Sequence, residues 1–376
     1  MIRRTSALVI GGGPAGSTAA RFLAEAGVDT VLVERDFSYV KPCGGGIPSG
    51  GFREFGLPET LIRNKVGRII IVSPSGKEIE IGLQGGHLFI VERGHFDFSL
   101  RRIAAEKGAS LIEGDFVGFE KNSAPFISRI RNKETNNIMR VQADYVLASD
   151  GITFGVGKNF SIRRPRRLYT ISSHMNTHSS DCCEFWFGNN HASNFYSWVF
   201  PSGNRTSIGT GGNAPRELSG LLDNFARRRF GRSLQHLLTD NLIDATRIFP
   251  VPAWRGRPYA VRNLLLLGDA AGMVMPTTYE GIYYAMKSGQ FAAAAIAEKN
   301  PPYYLQLLED RFKYRFLLMN IFKRLFFRSD KTIEKWIRVH GASVVQEIAM
   351  KLWLQKDPGS QNLYAYLKAF GSRVMS

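Results

Sequence analysis

Cysteine is scarce in this 376-residue chain: there are three (Cys43, Cys182 and Cys183), two of them adjacent and none at metal-ligand spacing. That excludes a disulfide framework and a zinc site, and it fits a reducing compartment. No apolar run reaches the roughly 18–20 residues needed to span a bilayer. The start, "MIRRTSALVIGGGPAG", has a basic end and an apolar run, but the run is short and leads straight into glycines. It reads as a buried first strand rather than a signal peptide. The expected location is cytoplasmic, with peripheral contact to a membrane surface left open. Acidic residues are few: 32 Asp+Glu against 49 Lys+Arg, a net charge of +17. Such a balance calls for an anionic partner, whether nucleic acid, a phosphorylated substrate or acidic lipid headgroups. Nucleic acid is the weakest of these. The arginine clusters lack interleaved stacking aromatics, and no nucleic-acid motif is present. Internal repeats and low-complexity segments are also missing.

What the chain does have is an ordinary globular composition, 44% hydrophobic and 22% charged, and enough length for two or three domains. Its most informative stretch is "ALVIGGGPAGSTAARFLAEAG" followed by "VDTVLVER". Ala7 to Ile10 form a short apolar run, and Gly11, Gly13 and Gly16 have G-x-G-x-x-G spacing around Pro14 and Ala15. Helical periodicity follows, then a second strand ending at Glu34, with Arg35 beside it. The glycines permit a tight turn, close approach of backbone to a pyrophosphate, and close packing of helix on strand. The helix N-terminus presents its positive dipole end to the phosphates. Glu34 lies 18 residues after Gly16, close to the spacing of a carboxylate that binds a ribose hydroxyl. The pattern predicts a dinucleotide site but does not choose FAD over NAD.

Later segments favour FAD. "LLLLGDAAGMVMPTTYEGIYYAMKSGQFAAAAIAE" begins with a buried strand (264–267), then Gly268-Asp269, then a long helix rich in small residues. It resembles the second FAD fingerprint of the glutathione-reductase and hydroxylase-like flavoproteins. That resemblance implies that Asp269 binds the ribityl chain and that the turn and helix start, Gly281 and Ile282, lie against flavin and phosphates. "VERGHFDFSLRRIAAEKG" resembles the segment whose arginine, here Arg93, helps hold the cofactor, and "ADYVLASDG" resembles the strand end that places Asp150. "KPCGGGIP" (41–48), "FYSWVFP" (195–201) and "GDAAG…EGIYYAMKSG" (268–289) together are similar to the geranylgeranyl reductase family, in its plant and photosynthetic-bacterial branch. Members of that family reduce prenyl-chain double bonds. One position departs from the pattern: Tyr279 stands where the family usually carries glycine, which puts the substrate in question.

Reducing an isolated alkene requires a hydride on one carbon and a proton on the other, with no conjugated carbonyl to absorb charge. Protein electrostatics must then stabilise any cationic character. The resemblance implies that the loop of Cys43, Gly44 and Gly45 covers the flavin ring, so its glycines let the backbone come close. Cys43 is then either the proton donor or a tuner of protonation, thiols being mostly protonated at neutral pH, or a small packing residue, with a flavin-bound water as the alternative donor. Tyr196 and Trp198 alternate with Ser197 in what reads as a strand, projecting to one face. They are either plain core or an aromatic surface that grips a prenyl chain and stabilises positive charge. "RRPRR" (163–167) and "RRRFGR" (227–232) could receive a diphosphate or simply draw the protein to anionic membranes.

The fold expected is α/β: a Rossmann-type FAD-binding domain of the glutathione-reductase and hydroxylase-like kind, with an inserted β-rich substrate domain and a helical C-terminal region. The resemblance places the FAD domain at 1–55, 90–155 and 257–300, the substrate domain at 56–89 and 156–256, and the helical region at 301–376. Alternation in "GRIIIVSPSGKEIEIG" predicts a hairpin. The last stretch carries 13 Lys+Arg and 6 Asp+Glu, a charge of +7 (13 − 6). Within it, "RFKYRFLLMNIFKRLFFRSD" has the composition either of a helix on an anionic membrane or of an amphipathic helix packed on the other domains. The expected cofactor is FAD, reduced by NADPH or another donor; no second glycine fingerprint for a nicotinamide is present. The expected partner is a prenyl small molecule, and the sequence is silent on oligomeric state. Two other readings share the fold: an FAD monooxygenase, and a non-catalytic FAD-carrying membrane or redox-sensing protein.

Overall fold

The first strand, Ile2–Ile10, runs into its turn and the helix Pro14–Glu25, and the chain returns as the strand Thr30–Glu34. The two strands pair in parallel, Ala7 opposite Thr30 and Ile10 opposite Val33. The computed structural model describes residues 2–254, 259–341 and 343–354, with Lys368, and it divides into two compact units. The first gathers the described parts of 1–41, 94–167 and 251–320; the second gathers those of 42–93, 168–250 and 321–376.

In the first unit, Ile2–Ile10 is flanked by Thr30–Glu34 and by the long strand Ile138–Ala148, both parallel to it. Ser110–Lys121 continues the sheet on one side and Leu264–Leu266 on the other. Phe126–Asn132 pairs antiparallel with both Ser110–Lys121 and Ile138–Ala148. Leu8, Val9, Leu32, Val146, Leu147 and Leu265 are all fully buried, which is why these strands are apolar runs rather than alternating ones. The helix Ile282–Ala297 lies against Pro14–Glu25, with Gly289 set over the Ala15 carbonyl where no Cβ would fit.

The second unit holds a seven-stranded, mostly antiparallel sheet in which Ser197–Ser202 lies between Cys183–Trp186 and Arg205–Gly212. The predicted hairpin is present, Arg68–Val72 against Glu78–Gly82. The helix Leu218–Phe230 buries Leu218, Leu222 and Phe225 in a core with Ile171, Val199 and Ile208. A small sheet of Gly46–Pro48, Leu88–Val91 and Ile62–Val66 starts directly after the cysteine-bearing loop. Beyond residue 300 the chain is helical through Pro301–Leu308, Tyr314–Phe326, Asp330–His340 and Ser343–Leu354. The α/β class, the second β-rich unit and helices over the described part of the C-terminal region are those expected; residues 355–367 and 369–376 of that region lie outside the described residues.

Candidate functional site

In the first unit the chain turns at Gly11, whose φ of +106° is a region that side chains rarely adopt. A Cβ there would strike the Ser149 carbonyl, and one on Gly16 would strike the Gly11 carbonyl. The Ser149 hydroxyl ties the turn down from the neighbouring strand, donating 2.8 Å to Gly11 O and 2.9 Å to Ile10 O. Pro14 opens the helix with Ala15 and Gly16 buried behind it, and no side chain caps its N-terminus at Gly13. The Cβ direction of Gly13 faces open space. Glu34 closes on this turn: its Oε2 accepts from Gly12 N at 2.6 Å and its Oε1 from Asp36 N at 3.2 Å. Arg35 is exposed, its guanidinium 5.6 Å from the centre of the Tyr39 ring. Arg93, which belongs to the second unit, is buried at the start of the helix Arg93–Glu106.

The second fingerprint comes to the same end of this sheet. Gly268 follows Leu264–Leu266 with a φ of +53°, and a Cβ on it would lie 3.0 Å from that of Ala15. Its N–H donates 2.9 Å to the Ser288 hydroxyl. Asp269 forms an ion pair with Lys41. Gly281 stands next to it, a built Cβ lying 3.8 Å from Asp269 Oδ1, and serves as N-cap to Ile282 and the long helix, again with no side-chain cap. Asp150 lies two residues beyond the strand Ile138–Ala148, just before the turn Gly151–Thr153. Its Oδ2 accepts from Val156 N at 2.9 Å, while its buried Oδ1 has no partner among the described residues. Burial pushes the Asp150 carboxyl above the usual carboxylate range. Tyr279 has a φ of +54°, in the left-handed region that favours glycine. The departure in the sequence is thus a side chain in a backbone conformation made for none.

These groups fit FAD. Two uncapped helix N-termini, an open glycine face, a carboxylate at the end of the second strand and a buried carboxylate oxygen in need of a donor are what its phosphates and hydroxyls require.

In the second unit, Cys43 is half-buried and its Sγ accepts from Gly45 N at 3.3 Å. Gly44 lies flat on an aromatic surface. A Cβ there would stand 2.8 Å from Phe200 Cδ2, with Trp198 Nε1 at 3.6 Å. Gly45, at φ +74°, brings the loop against the Val91 carbonyl. So within this unit the glycines let the thiol-bearing loop hug the strand that carries "SWVF". The Trp198 ring is buried, crosses Gly209 and donates 3.2 Å to the Ser207 hydroxyl. Tyr196, half-buried, lies just before the strand, 6.4 Å from Trp198 and 5.2 Å from Phe185 by ring centres. The alternation reads both as strand residues; Trp198 lies in the strand and Tyr196 precedes it.

Two side chains that hold these turns carried no local signal. Arg101, buried, donates 3.2 Å to Gly12 O and 2.8 Å to Phe37 O, bracing the first turn from outside. Lys41 sits in a quoted motif, but its partner Asp269 is 228 residues away. The arginines of "RRRFGR" are engaged within their own unit: Arg227 with Asp223, Arg228 with backbone carbonyls, Arg229 with Glu184 and Arg232 with Asp240.

Comparison with known proteins agrees with this geometry. The FAD binding domain family matches residues 4–299. Geranylgeranyl diphosphate reductase of Synechocystis is 29% identical over 98% of this chain and 96% of its own. That of Rhodobacter capsulatus is 28% identical over 93% and 91%. A geranylgeranyl bacteriochlorophyll reductase-like structure from Thermoplasma acidophilum superposes with a TM-score of 0.83 at 26% identity, covering 100% of this chain and 98% of that one. With more than half its length matched, the chain belongs to the FAD binding domain family.

Proposed function

We propose that the chain is an FAD-dependent oxidoreductase that saturates carbon–carbon double bonds of a prenyl chain: geranylgeranyl diphosphate, a geranylgeranylated tetrapyrrole or a prenyl lipid. The names of its near-full-length relatives support this reading. So does one observation above the rest: the Cys43 loop is laid on the aromatic strand of Trp198 and Phe200, joining a proton-bearing group to an apolar surface. The first unit would be the FAD domain and the second the substrate domain.

In this reading the turn of Gly11, Gly13, Pro14, Ala15 and Gly16, with its helix N-terminus, holds the pyrophosphate. Glu34 takes the ribose hydroxyls with Arg35 alongside. Arg93, Asp150, Gly268, Asp269, Gly281 and Ile282 complete the cradle, and Gly44 and Gly45 bring backbone to the ring. When bound and reduced, FAD supplies a hydride. Cys43 supplies the proton to the other alkene carbon, and the Gly45 N–H holds the sulfur once the proton has left. Tyr196 and Trp198 present aromatic faces that favour transient positive charge and exclude water. NADPH or another two-electron donor would supply the electrons, and a cytoplasmic protein working at a membrane surface suits so apolar a substrate.

The test is mass spectrometry of geranylgeranyl diphosphate and of geranylgeranylated tetrapyrrole after incubation with the reduced protein. A gain of two hydrogens per double bond is expected, and Cys43→Ala should slow it at least about a hundredfold, the lower end of general acid catalysis, with FAD content unchanged. Incorporation of oxygen would mark a monooxygenase instead. Reduction at the parental rate by Cys43→Ala would remove that thiol from the mechanism.

A further inference from the structure

The helix Tyr314–Phe326 has two apolar faces. The inner one is covered: Phe316 packs with its ring centre 5.0 Å from Tyr284, and Phe326 lies 5.3 Å from Phe187. The outer one is open to solvent. Tyr314, Leu317, Ile321 and Leu325 are 78%, 45%, 57% and 48% exposed. Their spacing of three, four and four residues aligns them in one stripe, about 16 Å long at the rise of an α-helix. A soluble surface rarely leaves such a row of large apolar side chains uncovered.

Charge identifies what covers it. Lys313, Arg324 and Arg328 are exposed along the stripe. Across residues 309–328 there are six basic and two acidic side chains, a balance of +4 (6 − 2). The acidic pair, Glu309 and Asp310, sits at the N-terminal end, and Glu309 is bound to Lys313 at 3.0 Å. Two copies meeting on this stripe would bring like charges together, which opposes self-association. Among the described residues no helix is long and apolar enough to cross a membrane, so any lipid contact made by them is peripheral.

We propose that this stripe is a docking face for a bilayer surface rich in anionic lipid. Leu317, Ile321 and Leu325 enter the boundary between headgroups and acyl chains, and Arg324 and Arg328 meet lipid phosphates. The proposal goes beyond the reductase reading, because stripe and charge define the partner without reference to the reaction.

Flotation of the flavin-loaded protein with vesicles tests it. Binding is expected to phosphatidylcholine vesicles containing about a third phosphatidylglycerol, and not to phosphatidylcholine alone, with weakening in high salt. Ile321→Glu/Leu325→Glu and, separately, Arg324→Glu/Arg328→Glu should each lower partitioning at least about tenfold. Both variants should keep the parental flavin spectrum and their reduction of detergent-dispersed prenyl substrate. Absence of binding by the parent would overturn the proposal, as would equal binding by the first variant. A concentration-dependent dimer that the first variant abolishes would overturn it in favour of a second copy. Protein that floats normally yet reduces no prenyl chain would leave the docking face standing and remove the reductase reading.

Discussion

At the scale of single residues, His191 has an environment that makes a pH prediction. It is fully buried in the second unit, with Nδ1 2.8 Å from the Ser197 hydroxyl. Burial first, and then the charge of Arg228, hold its pKa at about 4 against an ordinary 6.5. The folded imidazole therefore stays neutral where the unfolded one takes a proton. Its contribution to stability is complete above the unfolded value and is lost as pH falls from 6.5 towards 4. Between about pH 7.5 and pH 5 this single group removes about 2 kcal/mol of unfolding free energy. Urea titrations should show that loss reduced by the same amount in His191→Gln; equal losses in both proteins would mean the ring is solvated. Tyr279 offers a second test at this scale. Its left-handed backbone makes Tyr279→Gly more stable than Tyr279→Ala by about 1 kcal/mol, read from thermal or urea unfolding. The reverse order would show that the backbone at 279 is not left-handed in solution.

At the scale of elements, the parts legible in the sequence were those whose residue types answer a local backbone demand. The turn at 11–16 was legible because close approach of helix and strand allows little but glycine, and Gly268-Asp269 because the same logic recurs there. The 68–82 hairpin announced itself by alternation. Arg101 and Lys41 were silent, since each acts on a group far along the chain, 89 and 228 residues away. The Cys43 loop was legible only in part. Its glycines signalled a close approach, but nothing local said that Phe200 and Trp198 would be on the other side. The helical tail could be read as helices, yet its sharing between two units, 301–320 with the first and the described residues after 320 with the second, depends on tertiary packing that periodicity does not encode. These elements carry a prediction of their own. Gly16→Val places a branched side chain where the Gly11 carbonyl already sits, so the purified variant should carry little or no FAD while keeping a folded second unit. A variant with full flavin content would show that this turn does not form the cradle.

At the scale of the whole molecule, charge and topology serve one purpose. A chain of net charge +17 carries a mixed sheet followed by two uncapped helix N-termini, and a second unit in which the Cys43 loop lies on the Trp198 and Phe200 strand of a mainly antiparallel sheet. The first fits an anionic dinucleotide, as the family match over residues 4–299 requires. The most direct measurement is an anaerobic single turnover: the protein is reduced with dithionite, cleared of excess reductant and mixed with geranylgeranyl diphosphate or a geranylgeranylated tetrapyrrole. The account predicts that the oxidised flavin absorbance returns, one equivalent for each double bond saturated in the product. A protein that binds FAD and accepts electrons, yet stays reduced in the presence of both substrates and is reoxidised only by oxygen, would contradict it.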